Sequence, residues 1–148
     1  MKSAVRLLIA GALMGVGGVS LADSTAGDND GALALNILKN LEVNTFRNSL
    51  RPAHYPDGTT LGQTPYRVYE KDTKREGAYS AVDADRSWIY SVRVMERGDK
   101  AITICFVDHN LRGSYLFASP LLVETNRAGH YVVVKELPKT PACGITRG

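Results

Sequence analysis

From Ser87 to Glu136 the chain repeats one pattern, and that pattern limits its fold more than any other feature. Trp88, Tyr90, Val92 and Val94 alternate with Ser87, Ser91 and Arg93. Ala101–Val107 is rich in β-branched residues, and Ser114–Glu124 and Tyr131–Glu136 are further runs of the same kind. A period of two marks a strand with one buried face. The gaps are Arg97-Gly98-Asp99, Asn110-Leu111-Arg112-Gly113 and Asn126-Arg127-Ala128-Gly129. Each is short and holds a glycine, so consecutive strands are expected as antiparallel hairpins. Pro120 has no N–H to give a ladder, so its strand is expected to bulge there or to lie partly at an edge. Asp108-His109-Asn110 is read as a hairpin tip, where Asp and Asn are ordinary residues.

The first hairpin has two candidate registers. A two-residue Gly98-Asp99 turn sets Val92 opposite Cys105 and Arg93 opposite Ile104. A three-residue Arg97-Gly98-Asp99 turn sets Val94 opposite Ile102, Val92 opposite Ile104 and Tyr90 opposite Phe106. Only the second matches apolar with apolar, and register follows the buried face. Ile102, Ile104 and Phe106 are then expected to face the core, with Cys105 on the other side.

Upstream the period changes. Leu33, Ile37, Leu38 and Leu41 recur at helical spacing, and Phe46 and Leu50 extend the apolar side. Asp28, Asn29 and Asp30 suit a helix N-terminus, Arg47 and Arg51 suit a C-terminus, and Pro52 is a stop. The spacing predicts a helix over 31–50. Residues 23–30 are small, polar and acidic and read as a disordered leader. His54 to Thr64 reads as a loop around the Pro56-Asp57-Gly58 turn. Tyr66–Glu70 is expected as a strand, while Ala78–Val82 suits a short strand or a continued loop equally.

The expected fold class is therefore α+β: one N-terminal helix packed on an antiparallel meander of four to five strands, a single domain over 31–148. One long helix followed by a meander across residues 31–137 resembles the cystatin-like folds. The resemblance lies in element order and not in any motif, so it implies an architecture and carries no functional residue with it.

Residues 1–22 set the compartment. A basic head, Met1 to Arg6, precedes an apolar run, Leu7 to Val19, and then Ser20-Leu21-Ala22. This is the pattern of a secretory signal cleaved near Ala22, which predicts a periplasmic or secreted protein. The formal charge of +3 falls to +1 once Lys2 and Arg6 are removed. That balance argues against a nucleic-acid partner. No later run is long and apolar enough to predict membrane insertion after cleavage. Cys105 and Cys143 are expected to pair as one disulfide in an oxidising compartment. The tail from Pro138 to Cys143, which reaches about 20 Å, is expected to cross the neighbouring strand and clamp to the face away from the helix.

Chemistry-bearing motifs are scarce. His54, His109 and His130 are isolated, and Asp83-Ala84-Asp85 alone is a weak metal signal, so neither cofactor nor metal is expected. The candidate binding residues are Asn36, Asn40, Asn44 and Asn48, a four-residue period that forms one amide stripe on a helix, and Tyr66, Tyr69 and Tyr79 around the charged turn after Glu70. The favoured reading is a non-enzymatic exported binding protein, an inhibitor or neutraliser of another envelope or secreted protein or a binder of a small polar ligand. Its rivals are a small enzyme with a pocket between helix and sheet lined by His54, Asp57 or Tyr66, and a structural or antigenic surface protein.

Overall fold

The alternating residues fold into six antiparallel strands whose spatial order is their order along the chain. They are β1 (Val68–Lys71), β2 (Ala78–Val82), β3 (Trp88–Arg97), β4 (Ile102–Asn110), β5 (Leu116–Thr125) and β6 (Tyr131–Glu136). A single helix, α1 (Ala22–Asn40), precedes them. The computed structural model describes residues 22–144, so the expected secretory signal lies outside the described residues apart from Ala22. The architecture is the α+β meander read from the sequence, with six strands in place of four to five. The additional pairing is that of Ala78–Val82, which lies between β1 and β3 and pairs with both.

The helix boundaries differ from the expectation at both ends. Residues 23–30, read as a disordered leader, are helical. At the other end the helix stops at Asn40 rather than at residue 50. Leu41 to Thr45 leave the helix because other segments take their backbone groups. Glu42 N donates to Tyr131 O at 2.9 Å, Val43 N to Thr59 O at 3.0 Å, and Leu41 O accepts from Leu61 N at 2.9 Å. Thr45 Oγ1 accepts from Val133 N at 3.1 Å. The bonds to Tyr131 and Val133 cover part of the free edge of β6, which would otherwise offer a template for another strand. Asn40, Val43, Asn44 and Thr45 are poor helix formers, so little local preference opposes the exit.

Ala34, Ile37, Leu38 and Leu41 form the buried stripe of α1 and its exit, at the spacing of one helical face. The helix packs on β2 and β3 and on a 3-10 turn, Leu61–Gln63. A Cβ on Gly62 would come within 2.7 Å of Lys39 O, so only glycine lets that turn sit against the helix end. Tyr90, Val92 and Val94 of β3, Ile104 and Phe106 of β4, and Leu121 and Val123 of β5 complete the core.

The β3–β4 hairpin corrects the expected register. Val92 pairs with Phe106, Val94 with Ile104, and Tyr90 with Asp108. Met95 is accommodated in a bulge, and the turn is the longer Gly98–Ala101, closed by Gly98 N on Ala101 O at 2.9 Å. Each expected partner is displaced by two positions along β4, and an even shift leaves every side chain on its expected face. Pro120 lies inside β5 rather than at an edge, opposite Cys105. Its carbonyl accepts from Leu137 N at 2.9 Å. The absent N–H therefore faces the fading end of β6, where it breaks no central ladder.

Cys105 and Cys143 are joined in a disulfide, with Cα atoms 5.2 Å apart. The tail forms a 3-10 turn, Pro141–Cys143, over β5 on the face opposite α1, as the reach argument expected. Cys105, Val107 and Cys143 make a small second core there with Met95, Leu116 and Ala118. The Arg93 guanidinium donates to the Ala142 carbonyl and holds the same tail.

Replacing both cysteines by alanine is expected to lower stability by about 4 kcal/mol in urea titration, given a closed loop of 38 residues. Acid should act through Asp72 and Asp83. Burial opposes ionisation of both. It is outweighed at Asp72 by the Lys74 amide and the Arg75 guanidinium, and at Asp83 by the Ser87 hydroxyl and the Trp88 and Ser87 amides. Both carboxyls are thereby held below the usual 3.8. A lowered folded-state pKa gives stability that is present above the unfolded value and is lost as pH falls through the folded one. Urea midpoints should therefore fall as pH drops below 3.8, and Asp83→Asn should lower the neutral-pH midpoint while flattening that acid decline.

Candidate functional site

Beyond the end of α1, the core face of the sheet is covered by the irregular segment 41–66, and one buried side chain fixes that cover. Asp108 follows Ile104 and Phe106 at the inward-facing positions of β4 and is fully buried. Its Oδ2 accepts from Ser49 N at 2.8 Å, and its Oδ1 from Ser49 Oγ at 2.8 Å and Trp88 Nε1 at 2.6 Å. Ser49 Oγ and Tyr90 Oη lie 2.6 Å apart and share a further hydrogen bond. One carboxyl group thus ties the segment to β3 and β4. A buried indole or carboxyl without such partners would be costly.

Aromatic rings gather around this carboxyl. Tyr66 meets Tyr90 edge-on with centroids 4.7 Å apart, and Phe46 meets Phe106 at 4.8 Å. Trp88 packs against Tyr115 at 5.6 Å, and the Arg47 guanidinium lies 5.3 Å from the Phe117 ring. Burial raises the phenol pKa values of Tyr66, Tyr90 and Tyr115, and the Asp108 charge adds to the rise. All three remain neutral at physiological pH and able to donate. The outer members are accessible: Tyr115 is 41 % exposed and Leu111, in the same turn, 43 %. The result is a packed aromatic face, exposed at Tyr115, with a polar underside.

The asparagines do not form one stripe, because the helix ends before the last two. Asn36 and Asn40 are on α1, where Asn40 Nδ2 donates to Asn36 O at 3.0 Å. Asn44 Nδ2 donates to Tyr55 O at 2.6 Å. Asn48 is buried; its Nδ2 donates to Val43 O at 2.7 Å and its Oδ1 accepts from Leu50 N at 2.9 Å. Asn44 and Asn48 therefore fold the covering segment on itself. Of the tyrosines, Tyr66 belongs to the aromatic face. Tyr69 lies under Lys39 at 4.8 Å and Tyr79 lies against Gly31, so both pack on α1. Asp108, Ser49 and Trp88 were missed. The signal for Asp108 was present: it shares the parity of Ile104 and Phe106, so on a longer strand it must point inward. Reading Asp108-His109-Asn110 as a tip ended the strand too early.

The enzyme reading needed a cleft between helix and sheet. His54 and Asp57 are exposed in the covering segment, and Tyr66 is packed on Tyr90. Two open depressions, of about 420 and 290 Å³, lie elsewhere, at the β3–β4 turn and beside the start of α1, and neither includes these residues. Among the described residues no group of three or more His, Cys, Asp or Glu could hold a metal ion, and no helix is long and apolar enough to cross a membrane.

Asp108→Ala leaves the Ser49 and Trp88 donors facing a void, and is expected to cost about 3 kcal/mol or more. Limited trypsin digestion should then cut after the exposed Arg47 well before the strands, while the wild type resists there.

No curated protein and no solved structure matches this chain. A family model does: that of the pesticin immunity protein, over residues 13–105. The match covers α1, the segment 41–66, β1 to β3 and β4 as far as Cys105, and takes in Arg47, Ser49, Tyr66, Trp88 and Tyr90. As the matched residues make up more than half of its length, the chain belongs to the pesticin immunity protein family.

Proposed function

We propose that this protein is a periplasmic immunity factor that binds the bacteriocin pesticin and neutralises it without chemistry of its own. Family membership carries the reading. Three further observations support it. The sequence begins with the pattern of a secretory signal. The disulfide suits an oxidising compartment. The accessible aromatic face offers rigid side chains of the kind that anchor protein interfaces. An inhibitor of this type acts by occupancy: it must meet the toxin outside the cytoplasm and hold it.

Purified protein comprising residues 23–148 should co-elute with pesticin as a stoichiometric complex and abolish killing of sensitive cells in proportion to the amount added. Cells expressing the full chain should survive the toxin, and cells expressing the same chain without residues 2–22 should die, since the product then remains in the wrong compartment. A toxin that kills at full rate in excess of the purified protein would rule the reading out.

A further inference from the structure

We infer that the toxin docks on the Trp88–Tyr115 end of the sheet, and that it presents carboxylates there to Arg47 and Arg112. The inference rests on the neutralisation reading above and says which surface performs it and what chemistry it receives.

Tyr115 and Leu111 are both strongly exposed and share the β4–β5 turn, so apolar area is concentrated at this end. Trp88 lies against Tyr115 and is fixed from below by Asp108. Arg47 flanks the pair from the covering segment, over Phe117. Arg112 flanks it from the turn, where its guanidinium donates to the backbone carbonyl of Asp85 at 2.6 Å. Among the described residues neither guanidinium pairs with a carboxylate of this chain, although the Arg47 backbone N–H donates to Glu136 Oε1 at 3.3 Å. Arg75, Arg86 and Arg97, by contrast, are paired with Asp72, Glu70 and Asp30. The neighbouring Asp83 carboxyl is already engaged by Ser87 and Trp88.

Tryptophan, tyrosine and arginine are the side chains that most often dominate binding energy. A guanidinium fork matches a carboxylate in shape and charge, so two forks without a carboxylate beside an aromatic pair fit a partner that places acidic residues around an apolar one. The Asp108 bond holds Trp88, on which Tyr115 packs, in place before binding, which lowers the ordering cost on association.

The test measures binding of the full mature protein to immobilised pesticin at low and at physiological salt. Arg47→Glu with Arg112→Glu is expected to slow association by about tenfold or more at low salt and to weaken affinity by about 100-fold. Tyr115→Ala should weaken affinity by raising the dissociation rate. Lys100→Glu with Lys139→Glu, at the opposite turn and in the tail, should leave both rates near wild type. Thermal unfolding reports whether each variant is folded, and Arg47→Met with Arg112→Met replaces the charge reversal if that disturbs the loop. Wild-type affinity in the arginine and Tyr115 variants, or an equal loss in the lysine variant, overturns the assignment of the surface while leaving neutralisation intact. Absence of binding by the wild type overturns the neutralisation reading itself.

Discussion

The buried Asp108 carboxyl group is the contact on which the architecture of one half of this protein depends. A single helix of 19 residues covers only part of the inner face of a six-stranded sheet. The remainder is roofed by a segment with almost no regular structure. Such a segment cannot satisfy its own backbone, so its polar groups must find partners in the sheet. Asp108 supplies the central ones, Tyr131 and Val133 of β6 supply others to Glu42 and Thr45, and Asn44 and Asn48 close the segment on itself. Phe46 and Leu50 then fill the space over Phe106.

The two faces of the sheet are secured by different physics. The inner face is held by apolar burial and hydrogen bonds that reach across the chain. The outer face has little apolar cover, and a covalent link stands in for it: the disulfide brings the tail over β5, and Arg93 fastens the tail again through the Ala142 carbonyl. A domain of this size gains from such a staple because only one of its faces carries a helix. The chain belongs to a family named for immunity to pesticin, and its staple is consistent with an oxidising compartment.

The sheet was legible because its signals are local. Alternation, glycine-bearing gaps and the face of Cys105 are properties of neighbours in sequence, and the even register error in the β3–β4 hairpin left that face unchanged. The bulge at Met95 and the turn Gly98–Ala101 gave no such local sign. The helix was misjudged for the opposite reason. Leu41, Phe46 and Leu50 continue a helical spacing, but the backbone of their segment bonds elsewhere, Leu41 to Leu61, Glu42 to Tyr131, Val43 to Thr59 and Ser49 to Asp108, which no local pattern announces. The candidate site suffered the same way. Tyr66, the candidate tyrosine that packs in this cluster, stands out in composition, whereas Asp108 and Ser49 acquire meaning only when residues 59 apart in the chain meet.

The meander also has a kinetic consequence. Every strand pair joins neighbours in sequence, so each hairpin closes at small entropic cost. The bonds from the covering segment to β4 and β6 span 59 to 89 residues. Those long closures become favourable only once the hairpins exist, which makes the roof the last part to assemble and the first to open. Its opening leaves the β-ladders and the Trp88–Tyr115 pair intact while taking Phe46, Arg47 and Tyr66 away from the aromatic face. Completion of that face is therefore a separate event from formation of the sheet, and it can be undone while the sheet remains.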